Sequence, residues 1–169
     1  MDCSNCIGLL FGSFDPLHEG HLMMARYAHV EKGLSEIWLV VTPLSPGKRH
    51  RVLTSAVIRL ENVRQAIQNY QYFKTIDIEF RLPQPNYTID TIQALKRDFP
   101  EVKFVLMIGS DQWLNFSKWH KSSEIKELLE IWIFPRKGYE VEVPIPQGVK
   151  LLTSPVVPVS STQIREINK

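Results

Sequence analysis

Cysteine is nearly absent: only Cys3 and Cys6 occur in 169 residues, which excludes a small disulfide-stapled scaffold. No apolar run approaches the roughly 20 residues a membrane-spanning helix needs. The start, Met1-Asp2-Cys3-Ser4-Asn5-Cys6, has no basic segment leading into an apolar core, so it does not read as a secretory signal. A reduced, cytoplasmic protein is the expectation. No G-x-G-x-x-G follows the first apolar run and no Walker P-loop occurs, which argues against a dinucleotide-dependent dehydrogenase and a P-loop NTPase. The net charge of +2 is too small to call for nucleic acid, where a basic stripe is expected. Low-complexity tracts and internal repeats are also missing. What remains is 44% apolar and 22% charged, an ordinary composition for a folded soluble chain long enough for one domain over 1–169.

Within it, short apolar runs alternate with amphipathic stretches. Ile7 to Phe11, Ile37 to Val41, Val102 to Ile108 and Ile131 to Phe134 read as buried strands, and Val149 to Leu152 as a weaker one. Ile76, Ile78 and Phe80 alternate with polar neighbours, which predicts a strand near a sheet edge. Helical spacing marks Gly20 to Gly33, Thr54 to Asn69 (Leu60, Val63 and Ile67 on one face), Thr88 to Asp98 and Ile125 to Glu130. Ser160 and Gln163 have capping-box spacing and predict a last helix to Asn168. The alternation predicts an α/β fold: a Rossmann-like, doubly wound parallel sheet of about five strands with helices on both faces. In such a sheet ligands sit beyond the carboxyl ends of the strands, so the residues after each strand carry the functional information.

After the first strand comes Gly12-Ser13-Phe14-Asp15-Pro16-Leu17-His18-Glu19-Gly20-His21, leading into a helix. Gly12 and Ser13 let backbone amides approach a phosphate, and the helix start adds free N–H groups and a positive dipole end. His18 and His21, three residues apart, can donate to the same phosphate oxygens. The plainer reading is a loop whose histidines cap the helix. His-Glu-Gly-His lacks the spacing of a zinc motif, and no third ligand stands near. Cys3 and Cys6 form one C-x-x-C with no second pair.

This decapeptide resembles the phosphate-binding signature of the class I nucleotidyltransferase superfamily, and matches from Gly8 to Arg165 are similar to the bacterial nicotinate mononucleotide adenylyltransferases. Thr42-Pro43-Leu44-Ser45-Pro46-Gly47-Lys48 resembles the family's Pro-His-Lys loop, with Gly47 in place of histidine and Lys48 facing phosphate. Asn86-Tyr87-Thr88 resembles its Ser-Tyr-Thr segment, where the backbone around Tyr87 and Thr88 meets the pyridine carboxylate; read alone, Thr88 is a helix N-cap. Gly109-Ser110-Asp111 with Trp119 eight residues on resembles Gly-Ala-Asp and its tryptophan. Asp111 is then implied to hold ribose hydroxyls and Trp119 to stack on the pyridine, while Trp38, Trp113 and Trp132 read as core or interface. Arg136-Lys137-Gly138-Tyr139 resembles an Arg-Pro-Gly-Tyr turn that puts Arg136 by the adenine. Ser160-Ser161-Thr162-Gln163-Ile164-Arg165 resembles the Ser-Ser-Thr-x-Ile-Arg signature, whose serines and Arg165 meet the ATP phosphates.

The resemblance implies adenylyl transfer from ATP to nicotinate mononucleotide, releasing pyrophosphate, with His18, His21, Lys48 and Arg165 as the catalytic donors and cations. ATP is assigned Gly12, Ser13, Phe14, His18, His21, Gly109, Asp111, Arg136, Ser160, Ser161 and Arg165; the mononucleotide is assigned Ser13, Lys48, Tyr87, Thr88, Asp111 and Trp119. Mg²⁺ is expected to ride on the ATP phosphates, with no protein metal ligands. Neither a nucleic acid nor a membrane partner is implied, and homo-oligomerisation is left open. Nicotinamide mononucleotide or phosphopantetheine as acceptor, a cytidylyltransferase substrate, and a non-catalytic nucleotide-binding module are the competing readings.

Overall fold

Period-two burial along four central strands decides the architecture. In the computed structural model, which describes residues 5–48 and 54–156, six strands form one sheet in the order β3-β2-β1-β4-β5-β6, every neighbouring pair parallel. They are β1 (Cys6–Gly12), β2 (Glu36–Val41), β3 (Phe73–Ile76), β4 (Lys103–Gly109), β5 (Glu130–Phe134) and β6 (Val149–Leu151). Ile7, Leu9, Trp38, Val40, Leu106, Ile108, Ile131 and Ile133 point to one face, where they meet Ile89, Ile92 and Leu95. Leu10, Ile37, Leu39, Val105, Met107 and Trp132 point to the other, against Met24, Ala25, Leu60 and Val63. A strand buried on both sides needs no polar alternation, which explains the continuous apolar runs.

The helices are α1 (Glu19–Val30), α2 (Ala56–Ile67), α3 (Thr88–Asp98), a single turn α4 (Ser110–Trp113) and α5 (Ser122–Leu128). α3 packs on the first of these faces, and α1 and α2 pack on the other. Among the described residues no helix is long and apolar enough to cross a membrane.

The fold expectation holds, with six strands where about five were expected. The alternation across residues 76–80 is a misreading of local pattern. The strand ends at Ile76, paired with Val40, and Ile78–Arg81 is a 3₁₀ turn. Partner β2 ends one residue later, at Val41, so the chain leaves the ladder, and Ile78 and Glu79 are buried by turning under the sheet instead. Trp38 and Trp132 are core residues as expected, whereas Trp113 is half-buried. Cys6 lies within β1 and is buried. The expected last helix, with Ser160, Ser161 and Arg165, lies outside the described residues, as does Cys3.

The strand order reverses between β1 and β4: the chain runs from β1 outward to β3, then returns to β4 and runs outward to β6. The crevice beyond the ends of β1 and β4 is therefore where a parallel sheet of this kind binds ligands.

Candidate active site

At the end of β1 the chain turns sharply before α1. A side chain at Gly12 would press on the Phe14 ring at 3.1–3.3 Å, so the close approach of Phe14 favours glycine there. Phe14 itself has φ +46°, an uncommon conformation for a side-chain-bearing residue, and its ring is buried in the core. Only the backbone of Phe14 is thus on offer to a nucleotide.

His18 is the N-cap of α1, and the two histidines cap the helix reciprocally. The Gly20 amide donates to His18 Nδ1 at 3.1 Å, and the His18 amide donates to His21 Nδ1 at 3.2 Å. Their rings stack with centroids 3.7 Å apart. The capping reading made from the sequence is the one seen here, and the caps fix the tautomer of both rings. An Nδ1 that accepts a hydrogen bond places the ring proton on Nε2, so each Nε2–H is a donor. The Nε2 of His18 is buried with no hydrogen-bond partner among the described residues. Burial, then the nearby Arg136 charge, lowers the His18 pKa to about 4, so the ring is a neutral donor near pH 7.

Across the crevice, β4 ends at Gly109 and runs into α4. Asp111 Oδ1 and Arg136 Nε lie 3.3 Å apart as an ion pair without hydrogen-bond alignment, and Arg136 Nη1 reaches Asp111 Oδ2 at 3.4 Å. The Arg136 amide donates to Ser110 Oγ at 2.8 Å, which holds the β5 turn against β4. Two residues assigned separately to ribose and adenine thus form one charged pair.

Beside the crevice lies a cleft of about 430 Å³ lined by Ser13, Thr42, Tyr87, Thr88, Trp119 and Glu79, among others. It unites Ser13, Tyr87, Thr88 and Trp119 from the expected mononucleotide set; Gly12 also lines it, whereas Asp111 stands apart with Arg136. Tyr87, not Thr88, is the N-cap of α3, and no side chain caps the helix. The first-turn amides of this eleven-residue helix therefore suit an anion better than a Thr88 cap would have allowed. Trp119 is half-buried and leans on Phe116 at 5.2 Å between centroids. The backbone of Lys48 closes a 3₁₀ turn, Pro46–Lys48, at the cleft.

Three residues that organise the site were not singled out from the sequence. Arg59 on α2, only 2% exposed, donates to the carbonyls of Thr54 (2.8 Å), Ser13 (2.6 Å), Thr42 (2.9 Å) and Pro43 (2.9 Å). One guanidinium thereby ties the loop after β1 to the loop after β2. Its signal was present: Arg59 stands four residues before Val63 and eight before Ile67, on the buried stripe. Asn86 locks the next pair of loops, accepting from the Leu44 amide at 3.2 Å, donating its own amide to Leu44 O at 2.8 Å, and donating Nδ2 to Glu79 O at 2.9 Å. Glu79 is 1% exposed and accepts from Thr91 Oγ1 at 2.7 Å.

The comparisons agree with this geometry. A cytidylyltransferase-like family model matches residues 9–167. The chain is 42% identical over 160 residues to the probable nicotinate-nucleotide adenylyltransferase of Bacteroides fragilis, covering 94% of this chain and 80% of that protein. Identity to the probable nicotinate-nucleotide adenylyltransferase of Porphyromonas gingivalis is 39% over 160 residues, covering 94% and 81%. Among solved structures, the Plasmodium falciparum nicotinic acid mononucleotide adenylyltransferase complexed with NaAD superposes with a TM-score of 0.79 over 96% of this chain and 83% of that one. At 20% identity that likeness concerns the fold. The chain belongs to the cytidylyltransferase-like nucleotidyltransferases and, within them, to the nicotinate-nucleotide adenylyltransferase family.

Proposed function

We propose that this chain, as one nucleotidyltransferase domain, transfers the adenylyl group of ATP to nicotinate mononucleotide, giving nicotinate adenine dinucleotide and pyrophosphate. The observation that carries this reading is the stacked His18–His21 pair at the α1 N-terminus, whose mutual capping leaves the ring proton of each on Nε2.

The 5′-phosphate oxygen of the mononucleotide forms a bond to the α-phosphorus in line, and the bond from that phosphorus to the bridging oxygen breaks as pyrophosphate leaves. The attacking oxygen is already ionised near neutral pH, so no strong base and no covalent intermediate are needed. Positioning and charge stabilisation suffice. His18 and His21 donate to the α-phosphate as its equatorial oxygens gain charge; Lys48 and Arg165 are the assigned cations. The amides after Gly12, with Ser160 and Ser161, hold the polyphosphate, and Asp111 and Arg136 open from their pair toward ribose and adenine. Tyr87 and Thr88 present α3 amides to the pyridine carboxylate, and Trp119 offers its face to the electron-poor ring.

The donor set fits nucleotide phosphates carrying magnesium. His18, His21 and Arg136 offer N–H groups, and among the described residues no three His, Cys, Asp or Glu side chains gather to hold a metal. Magnesium bound through phosphates and water would neutralise the leaving pyrophosphate.

The test is pyrophosphate release from Mg-ATP with nicotinate mononucleotide, nicotinamide mononucleotide or phosphopantetheine, with His21→Ala as control. Release with nicotinate mononucleotide that falls at least about a hundredfold in the variant supports the reading. Release only with phosphopantetheine removes the pyridine assignment, and silence with all three from folded, ATP-binding protein leaves a binding module.

A further inference from the structure

Glu79 is a buried carboxyl without a cation. It sits on the turn Ile78–Arg81, 1% exposed, and lines the cleft together with Tyr87, Thr88 and Trp119. Oε1 accepts from Thr91 Oγ1 at 2.7 Å, while Oε2 is buried with no hydrogen-bond partner among the described residues. Asn86 pins the backbone of Glu79 at 2.9 Å, so the side chain enters from a fixed point. The charged groups of the surrounding elements are engaged or exposed elsewhere. Arg59 of α2 is given over to four backbone carbonyls. Asp77, on the same turn, pairs with Arg64, and Arg81 is exposed. Asp90 of α3 is half-buried, and Lys118 and His120 lie exposed across the cleft, where the His120 ring meets Tyr87. A buried carboxyl with no charge opposite it contributes little to stability, which directs attention to the cleft it lines.

We propose that Glu79 is a specificity-determining residue of the acceptor cleft: while neutral it tolerates an acidic pyridine mononucleotide, and on ionising it turns the cleft against that acceptor and toward the amide form. This deepens the acceptor assignment above and rests on it. The two pyridine mononucleotides share ring, ribose and phosphate and differ by one negative charge. A carboxylate at the floor therefore repels one and leaves the other unaffected. Burial outweighs the hydrogen bond from Thr91 and pushes the Glu79 carboxyl up to about 7, within the working range of an enzyme.

The experiment measures kcat/KM for nicotinate and nicotinamide mononucleotides from pH 6 to pH 9 and follows their ratio. Titration of the substrate phosphate is common to both and cancels. The expected ratio of acid to amide falls about threefold to tenfold on going from pH 6 to pH 9, the order of the repulsion between two like charges across a partly aqueous cleft. Its midpoint lies near 7. In Glu79→Gln the ratio is flat. In Thr91→Val, which removes a hydrogen bond favouring the ionised form, the midpoint moves to higher pH. A flat ratio in the wild type, or an unchanged slope in Glu79→Gln, overturns the proposal while leaving the reaction intact. If Glu79→Gln does not fold, the wild-type slope and the Thr91→Val shift decide. Turnover of neither mononucleotide overturns the acceptor assignment and this proposal with it.

Discussion

Replacing Arg59 by methionine keeps a long unbranched stem but removes every donor, and the cost follows from where those donors go. Two of the four carbonyls belong to Ser13 and Thr42, which are 4% and 6% exposed. Water cannot replace the guanidinium there without opening the loops, so each acceptor left unsatisfied costs about 1–3 kcal/mol. The carbonyls of Thr54 and Pro43 lie nearer the surface and lose less, because water can take them. Against this, the variant no longer buries a charge, which returns part of the loss. The net expectation is a destabilisation of about 3 kcal/mol, or a fall in Tm of roughly 6–12 °C for a chain of this size. Arg59→Lys keeps the charge but not the fork, and cannot span carbonyls on three segments, so it falls between the two. Urea unfolding followed by fluorescence gives the difference directly, provided the slope m is unchanged. Pyrophosphate release under folded conditions then separates positioning from stability: kcat falls more than the KM for ATP changes, because the loop that leads to His18 loses its anchor at Ser13. A destabilisation below about 1 kcal/mol, with kcat intact, would refute the idea that this staple holds the loops together.

Two further outcomes follow. The His18 pKa is depressed to about 4, so its contribution is full above the unfolded value of 6.5 and is lost as pH falls through 4. The Glu79 pKa is raised to about 7, so its contribution is full below the unfolded value of 4.5 and is lost as pH rises through 7. Their slopes oppose each other across roughly pH 4.5–6.5; urea unfolding should show stability rising with pH in Glu79→Gln and falling in His18→Gln, and parallel slopes in the two would contradict the assignment. Gly109→Ala would place a methyl group against Asp111 Oδ1 and within 2.9 Å of Arg136 Nε, so that pair must shift while the fold persists. The KM for ATP is expected to rise about tenfold, equivalent to about 1.4 kcal/mol, in steady-state kinetics; an unchanged KM would remove the pair from the nucleotide site.

The strands were legible because parallel sheets covered on both faces write themselves as continuous apolar runs, and α3 was legible as a helix over about Thr88 to Asp98 because its apolar stripe is clean, although its N-cap is Tyr87 and not Thr88. Beyond Ile76, the stretch to Phe80 is not a strand despite its alternation. Alternation over five residues is shared by a half-buried strand and by a strand end that turns under the sheet, and only the length of the partner β2 distinguishes them. The phosphate loop was legible as a motif, but its mutual capping was not, because which nitrogen accepts which amide depends on rotamers. Arg59 and Glu79 were hidden for a related reason: a charged residue in a helix or turn defaults to the solvent face, and burial comes from carbonyls and hydroxyls that other segments bring.

That last point bears on how this site is built. Its candidate donors, the Nε2–H groups of His18 and His21 and the first-turn amides of α3, are held by neighbouring bonds: amide to Nδ1 in the histidine pair, and those of Asn86 and Thr91 at α3. A donor that must meet charge as it develops on phosphorus is effective only if it does not reorganise at that moment, and a neutral imidazole locked as an N-cap meets this condition without a titrating charge of its own. The neutrality imposed on His18 by burial and Arg136 is thus consistent with a donor role, since a ring protonated at Nδ1 would lose the Gly20 amide and release the helix start. Catalysis by charge placement therefore requires the buried polar network more than any single exposed residue, which is why the staple at Arg59 is the sharper test of the mechanism than the histidines themselves.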